Sequence, residues 1–258
     1  MRLFTFIFLV TAALLWDPVA NAACDHPYWT LSKGATRHYK SSNGHESTWK
    51  IEKVEGDKAT VAIAWTYDKS KPARESQIEV ECNGEGISLD FTKLGEGREG
   101  TEMKVVKRSG AFLPPASKLK AGYTWDTTAT IETTNPRMAK PMTSDMTSSH
   151  KVEGTESVTV PAGTFEALKI TANNQMIMQM PEMRGKDGNS HTAAMPGMTM
   201  HTTSTYWLVK GVGMVKSETK VEMGGMSGPG MSGPGMGTRG GAPGMSNTTT
   251  TELIEYLK

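Results

Sequence analysis

Cysteine is nearly absent: the 258 residues contain only Cys24 and Cys82, too few for a disulfide framework and without the Cys-x-x-Cys pair that a thiolate metal or redox site uses. An excess of charge of one sign is missing as well, since 28 Lys and Arg oppose 27 Asp and Glu. The two signs alternate in stretches such as KIEKVEGDK and EMKVVKR. That interspersion leaves no stripe able to track nucleic-acid phosphates or an acidic surface. No segment repeats apolar residues at helical spacing over eleven residues, which argues against a helical core. Long apolar runs are confined to the N-terminus, and even there Leu3 to Trp16 falls short of the roughly 18 to 20 residues a membrane helix needs. Catalytic motifs are missing too. There is no HExxH and no nucleophile elbow, and strand alternation puts several of the carboxylates Glu79, Glu81 and Asp90 on a solvent face. The expectation is a protein that is not an enzyme.

The short N-terminal run has a different use. Arg2, the apolar stretch and the small-residue step Ala20-Asn21-Ala22 form a secretory signal over residues 1–22, so that the mature chain begins at Ala23. The product is expected to be secreted or periplasmic, with lipid attachment at Cys24 as the alternative. In an oxidising compartment two cysteines suggest one disulfide, Cys24 to Cys82. Closing a loop of that size stabilises by about 4 kcal/mol on the chain-entropy account.

Strand patterns fill the rest. STWKIEKV and KATVAIAWTY flank a turn at Glu55-Gly56-Asp57, and ESQIEVEC and GISLDF flank another at Asn83-Gly84-Glu85. Each alternates, with Val61, Ile63 and Trp65, or Ile78 and Val80, on the apolar face. Six further strands follow from Gly122 to Leu257. Residues 93–120 are the least regular stretch, suited to a short helix or a crossover. The predicted fold is all-β, a single strongly curved antiparallel sheet of about ten to eleven strands, half-barrel or open barrel. Residues 23–258 form one domain with Met-rich loops inserted at 133–147, 179–200 and 222–247.

Those loops are the most unusual feature. Fifteen of the eighteen methionines fall in three polar, Gly/Pro-rich tracts with strings such as MIMQMPEM and MSGPGMSGPGM, unlike the scattered gap-filling Met of a core. Among the six C-terminal strands the first, third and fifth connections are the Met tracts, and the others are the tight turns at Pro161-Ala162-Gly163-Thr164 and Gly211-Val212-Gly213. A meander alternates its connections between ends, so all three tracts are expected at one end of the sheet. Thioethers there could hold a soft ion, Cu(I) or Ag(I). The candidate ligands are Met195, Met198, Met200 and His201, then Met178, Met180, Met183 and His191, with His150 on the same rim; Met176 is expected to extend a strand into the core.

The segments CDHPYWTLSKGATRHY, ECNGEGI, VTVPAGTFEALKI, YWLVKGVGMVKSE and TELIEYL, taken in that order, resemble the TapB-like group of bacterial envelope proteins. The resemblance implies a curved antiparallel half-barrel of the lipoprotein-carrier kind and no catalytic residues. The sequence thus predicts a monomeric, exported, non-catalytic binding or carrier protein of the cell envelope, its partner a small apolar ligand or an envelope protein, with no nucleic acid and no transmembrane segment. A carrier needs an apolar cavity of at least about 300 Å³. The alternatives are soft-metal binding by convergent Met loops and a structural envelope protein with a partner-binding rim.

Overall fold

The computed structural model describes residues 26–68, 70–95, 101–136, 138, 140–179, 181, 183–184, 191–192, 197–223 and 246–258. The signal segment, Cys24 and much of the second and third Met tracts lie outside the described residues. The strands are β1 (Thr36–Ser41), β2 (Glu46–Glu55), β3 (Lys58–Thr66), β4 (Arg74–Asn83), β5 (Gly86–Asp90), β6 (Glu102–Ser109), β7 (Thr124–Thr134), β8 (Met142–Val160), β9 (Gly163–Gln179), β10 (Met183–Arg184), β11 (His191–Thr192), β12 (Met198–Val209), β13 (Gly213–Met223) and β14 (Ser246–Leu257). Two short 3-10 turns, Thr92–Gly95 and Ala116–Lys118, are the helical elements among the described residues.

Twelve strands form one antiparallel sheet in the order β5-β4-β3-β2-β1-β14-β13-β12-β9-β8-β7-β6, and β10 pairs separately with β11. The sheet curls into a nearly closed barrel whose edges, β5 and β6, face each other across a seam. A single antiparallel bridge crosses the seam region, with Ile87 N–H donating to Leu113 C=O at 2.8 Å and Leu113 N–H returning a bond at 3.2 Å. Arg108 reaches over from β6 to the Glu81 carboxylate at 3.2 Å. The close approach depends on Gly86, at φ +124°, because a Cβ there would lie 2.2 Å from the Leu113 carbonyl oxygen.

Alternation explains the core. Val61 and Ile63 of β3 and Ile78 and Val80 of β4 are buried with Ile51, Ile87 and Leu113, each contributing about 1.5 to 3 kcal/mol through its side chain. A second cluster forms where the tip of the β8–β9 hairpin meets β14. There Ala162 N–H donates to Leu253 C=O at 3.1 Å, and Val158, Val160 and Ala167 pack with Trp207 and Val215. The Pro161 to Thr164 step is a turn, as its residues predict, with Gly163 at φ +136°.

Two strands escape the sequence pattern. Strand β1 carries a buried Arg37 among polar neighbours. Strand β6 has a register shift between Val105 and Lys107 that breaks its alternation. The long strands also run further than expected: β8, β9 and β12 enter the Met tracts, so Met142, Met146, Met176, Met178, Met198 and Met200 are strand residues. The expectation of thioethers carried in loops fails for Met142, Met146, Met198 and Met200, which alternate in their strands as Val or Ile would, whereas Met176 and Met178 extend a strand as expected.

Candidate functional site: the inner face of the barrel

A cavity of about 270 Å³ lies inside the barrel, walled by Trp29, Trp49, Phe112, Trp125, Tyr206 and Leu208. It is slightly smaller than the volume expected of a carrier. Its position follows from the strand register. Val152, Ile170, Tyr206 and Ser217 form one cross-strand row, and Trp125, His150, Ala172, Ser204 and Thr219 form the next. A neighbouring hollow of about 310 Å³ shares Tyr39, Trp49, Met214 and Ser217 with the cavity and extends to the rim at His45 and Tyr67.

The opposite end is plugged by residues 26–35. His26 contacts the Pro114 carbonyl oxygen at 3.0 Å, Gly211 N–H donates to Pro27 C=O at 2.8 Å, and Trp29 packs edge-on against Phe112 with ring centroids 5.4 Å apart. Arg37 fastens the plug to the β12–β13 turn. Its Nε donates to Val212 C=O at 2.6 Å and its Nη2 to Thr30 C=O at 2.7 Å, while the guanidinium lies 5.4 Å from the Tyr256 ring centre. Only 6% exposed, it pairs with no carboxylate among the described residues.

Two other polar groups meet the cavity. Tyr39 donates its hydroxyl to Met214 C=O at 2.9 Å, and burial pushes its pKa upward despite the nearby Arg37 charge. His150 stacks on Trp125 at 4.7 Å with ring planes 8° apart. Burial lowers its pKa, with Asp126 opposing. Both groups are neutral wall elements at pH 7.

Beyond His150 the same face continues toward the end where the Met tracts begin. The next row is Thr127, Ser148, Asn174 and Thr202. After it come Ala129, Met146, Met176 and Met200, and then Ile131, Ser144, Met178 and Met198. Antiparallel order puts the strand ends that bound all three tracts at this one end, as the counting of connections predicts.

The predicted ligands fare unequally. Met178, Met198 and Met200 share the inner face. His201 stands exposed on the opposite face, across from Gln175 and Glu222, because its register position is odd where that of Met200 is even. Met183 and His191 belong to the two-stranded ribbon, in which Met183 pairs with Thr192 and Arg184 with His191. Met180 and Met195 lie outside the described residues. His150 is not on the rim; it is buried two inner-face positions further in than Met146. Cys82 is 3% exposed on β4 and is not a free thiol, whereas Cys24 lies outside the described residues. Sequence reasoning missed Arg37, Trp29 and Phe112; a lone Arg between His-rich polar neighbours gives no signal that it is buried.

Glu79 pairs with Lys93 at 2.6 Å and Glu81 with Arg108. No group of three or more His, Cys, Asp or Glu converges among the described residues.

The decisive comparison is with known families, where the DUF3108-like description matches residues 40–228. The chain belongs to the DUF3108-like family. A comparison with curated proteins finds no match. Among solved structures, a protein described as exported and YmcC-like in fold, from Bacteroides fragilis, is 12% identical over 89% of this chain and 98% of its own, with a TM-score of 0.51. That likeness concerns the fold of this DUF3108-like chain. A protein described as a lipoprotein from Parabacteroides distasonis is 15% identical over 90% of this chain and 99% of its own, with a TM-score of 0.49. The hypothetical lipoprotein YmcC of Escherichia coli is 8% identical over 92% and 90%, with a TM-score of 0.37.

Proposed function

We propose that this DUF3108-like chain is an exported, non-catalytic binding or carrier protein of the cell envelope, monomeric, which takes a small apolar ligand into its barrel. The observation that carries the reading is the apolar cavity of about 270 Å³ with aromatic and aliphatic walls, which meets a hollow of about 310 Å³ at Tyr39, Trp49, Met214 and Ser217, so that the two together offer the volume a small apolar guest needs. Further support comes from the N-terminal signal pattern and from the fold shared with a protein described as exported. The TapB-like grouping and the Cys24–Cys82 bridge, which would tie the mature N-terminus to β4, belong to the same proposal. Among the described residues no helix is long and apolar enough to cross a membrane.

The test is binding of an apolar fluorescent probe to delipidated protein, alongside mass spectrometry of solvent extracts from protein purified natively from the envelope. One probe per chain is expected. Ile170→Trp, which fills the cavity, weakens binding at least about tenfold, while Ile177→Trp on the outer face of the same strand leaves it unchanged. Equal binding by the two variants, or none by the parent, overturns the reading.

A further inference from the structure

Sheet positions with one half-buried face normally carry β-branched or aromatic side chains. On three adjacent strands of this barrel they carry unbranched thioethers instead. Met146, Met176 and Met200 stand directly opposite one another across β8, β9 and β12, and Met178 and Met198 stand opposite one another in the next row out. All five share the face of the buried His150, Ala172 and Ser204 and are themselves half-buried. Directly opposed residues have Cβ atoms about 5 Å apart. Three rotatable bonds per side chain then let neighbouring sulfurs converge on one point.

The surroundings select the kind of guest. The row beneath is Ser148, Asn174 and Thr202, uncharged, and Asn174 spends its amide on Thr202 C=O at 3.2 Å. Asp145, next to Met146 in sequence, accepts from Thr130 on the opposite face at 2.7 Å. His201 and Glu222 also lie on that other face, and the imidazole on the thioether face, His150, is buried two rows further in. These charged ligands are thus held off the two thioether rows, whose sulfur donors a d10 monovalent ion prefers and Zn(II) does not.

We propose that Met146, Met176 and Met200, extended by Met178 and Met198, form a thioether site for a soft monovalent cation, Cu(I) or Ag(I), on the half of the barrel's inner face nearer the Met tracts. The site is distinct from the apolar cavity and does not rest on the carrier reading. Thioethers need not lose a proton to bind, so the affinity is insensitive to mild acid.

The experiment is an anaerobic titration of the full mature chain with Cu(I) against a chromogenic Cu(I) chelator, repeated with Ag(I) by calorimetry. The triple variant M146L/M176L/M200L keeps bulk and apolarity and is expected to bind at least about tenfold more weakly. If that variant does not fold, M178L/M198L is expected to show the same direction. A second triple variant, M226L/M231L/M236L in the last tract, keeps the parent affinity. X-ray absorption of the loaded parent shows sulfur-only coordination, and affinity is the same at about pH 5 and pH 7. The proposal is overturned if the strand variants bind as the parent does, if only the tract variant loses binding, or if Zn(II) competes on equal terms. Apolar-probe binding, measured in the same samples, is unchanged by the strand variants and so reports on the cavity separately.

Discussion

The two halves of the barrel's inner face are built on the same strands and differ in almost everything else. The plugged half is aromatic, closed by Trp29 and Phe112 and fixed by Arg37 hydrogen bonds at 2.6 and 2.7 Å. The half nearer the Met tracts carries thioethers in two rows and, among the described residues, no aromatic residue in either. Between them runs a belt of Ser148, Asn174 and Thr202. One continuous β-scaffold therefore presents two separate chemistries, rigid and apolar at depth, adaptable and soft near the tracts. Side-chain composition along a strand, with no change of fold, is enough to give one interior two chemically different halves.

The comparison breaks most readily at the seam of the closed half. Gly86→Val forces a Cβ into the Leu113 carbonyl and gives a branched residue a positive φ, so urea unfolding should show a loss of about 3 kcal/mol. An unchanged midpoint would mean that the seam does not hold the aromatic half shut. Arg37→Met comes next. It keeps the bulk but strands the Val212 and Thr30 carbonyls, and a loss of about 2 kcal/mol is expected. The plug should also become more exposed, measurable as faster amide exchange at Gly211.

The smallest effect sharpens the boundary between the halves. The His150 pKa is depressed by burial, so below the ordinary value of about 6.5 the unfolded chain takes up a proton that the folded chain resists. Stability from this group is full above about pH 6.5 and is lost as the pH falls below it. The thermal midpoint should drop between about pH 7 and pH 5.5, and His150→Phe, which retains a ring against Trp125, should flatten that slope. The exposed carboxylates with lowered pKa, Glu153 and Glu156 among them, act only at more acid pH.

Much of this architecture is legible in the sequence. Alternation in KATVAIAWTY and QIEVEC marks β3 and β4, and both present their apolar sets to the core. The common end of the three tracts follows from counting connections, because short turns force antiparallel neighbours. What cannot be read is which long-range partners a strand finds. Trp207 packs in the second cluster and donates its indole N–H to Glu156 at 2.7 Å, with Lys169 and Lys216 over its ring. Phe91, just past the end of β5 and 38% exposed, also lines the cavity. The candidate thioether site was half legible. Met178, Met198 and Met200 were named, but Met146 and Met176 were not grouped with them, since register across β8, β9 and β12 depends on a bulge between Val152 and Gly154 that has no sequence signature beyond one glycine.

The seam has a mechanical consequence. A barrel whose every neighbour is joined by a full ladder has a girth set by strand number and stagger. Here one gap is spanned by the two bonds between Ile87 and Leu113 and by Arg108, which donates to the Glu81 carboxylate at 3.2 Å and to the Leu89 carbonyl at 3.5 Å. Each such bond contributes about 1 kcal/mol net, and the rest of the hold at this line comes from the packing of Ile87, Leu89 and Leu113. The girth of the barrel is therefore set at β5 and β6 by side-chain burial, where every other strand pair has a ladder to set it.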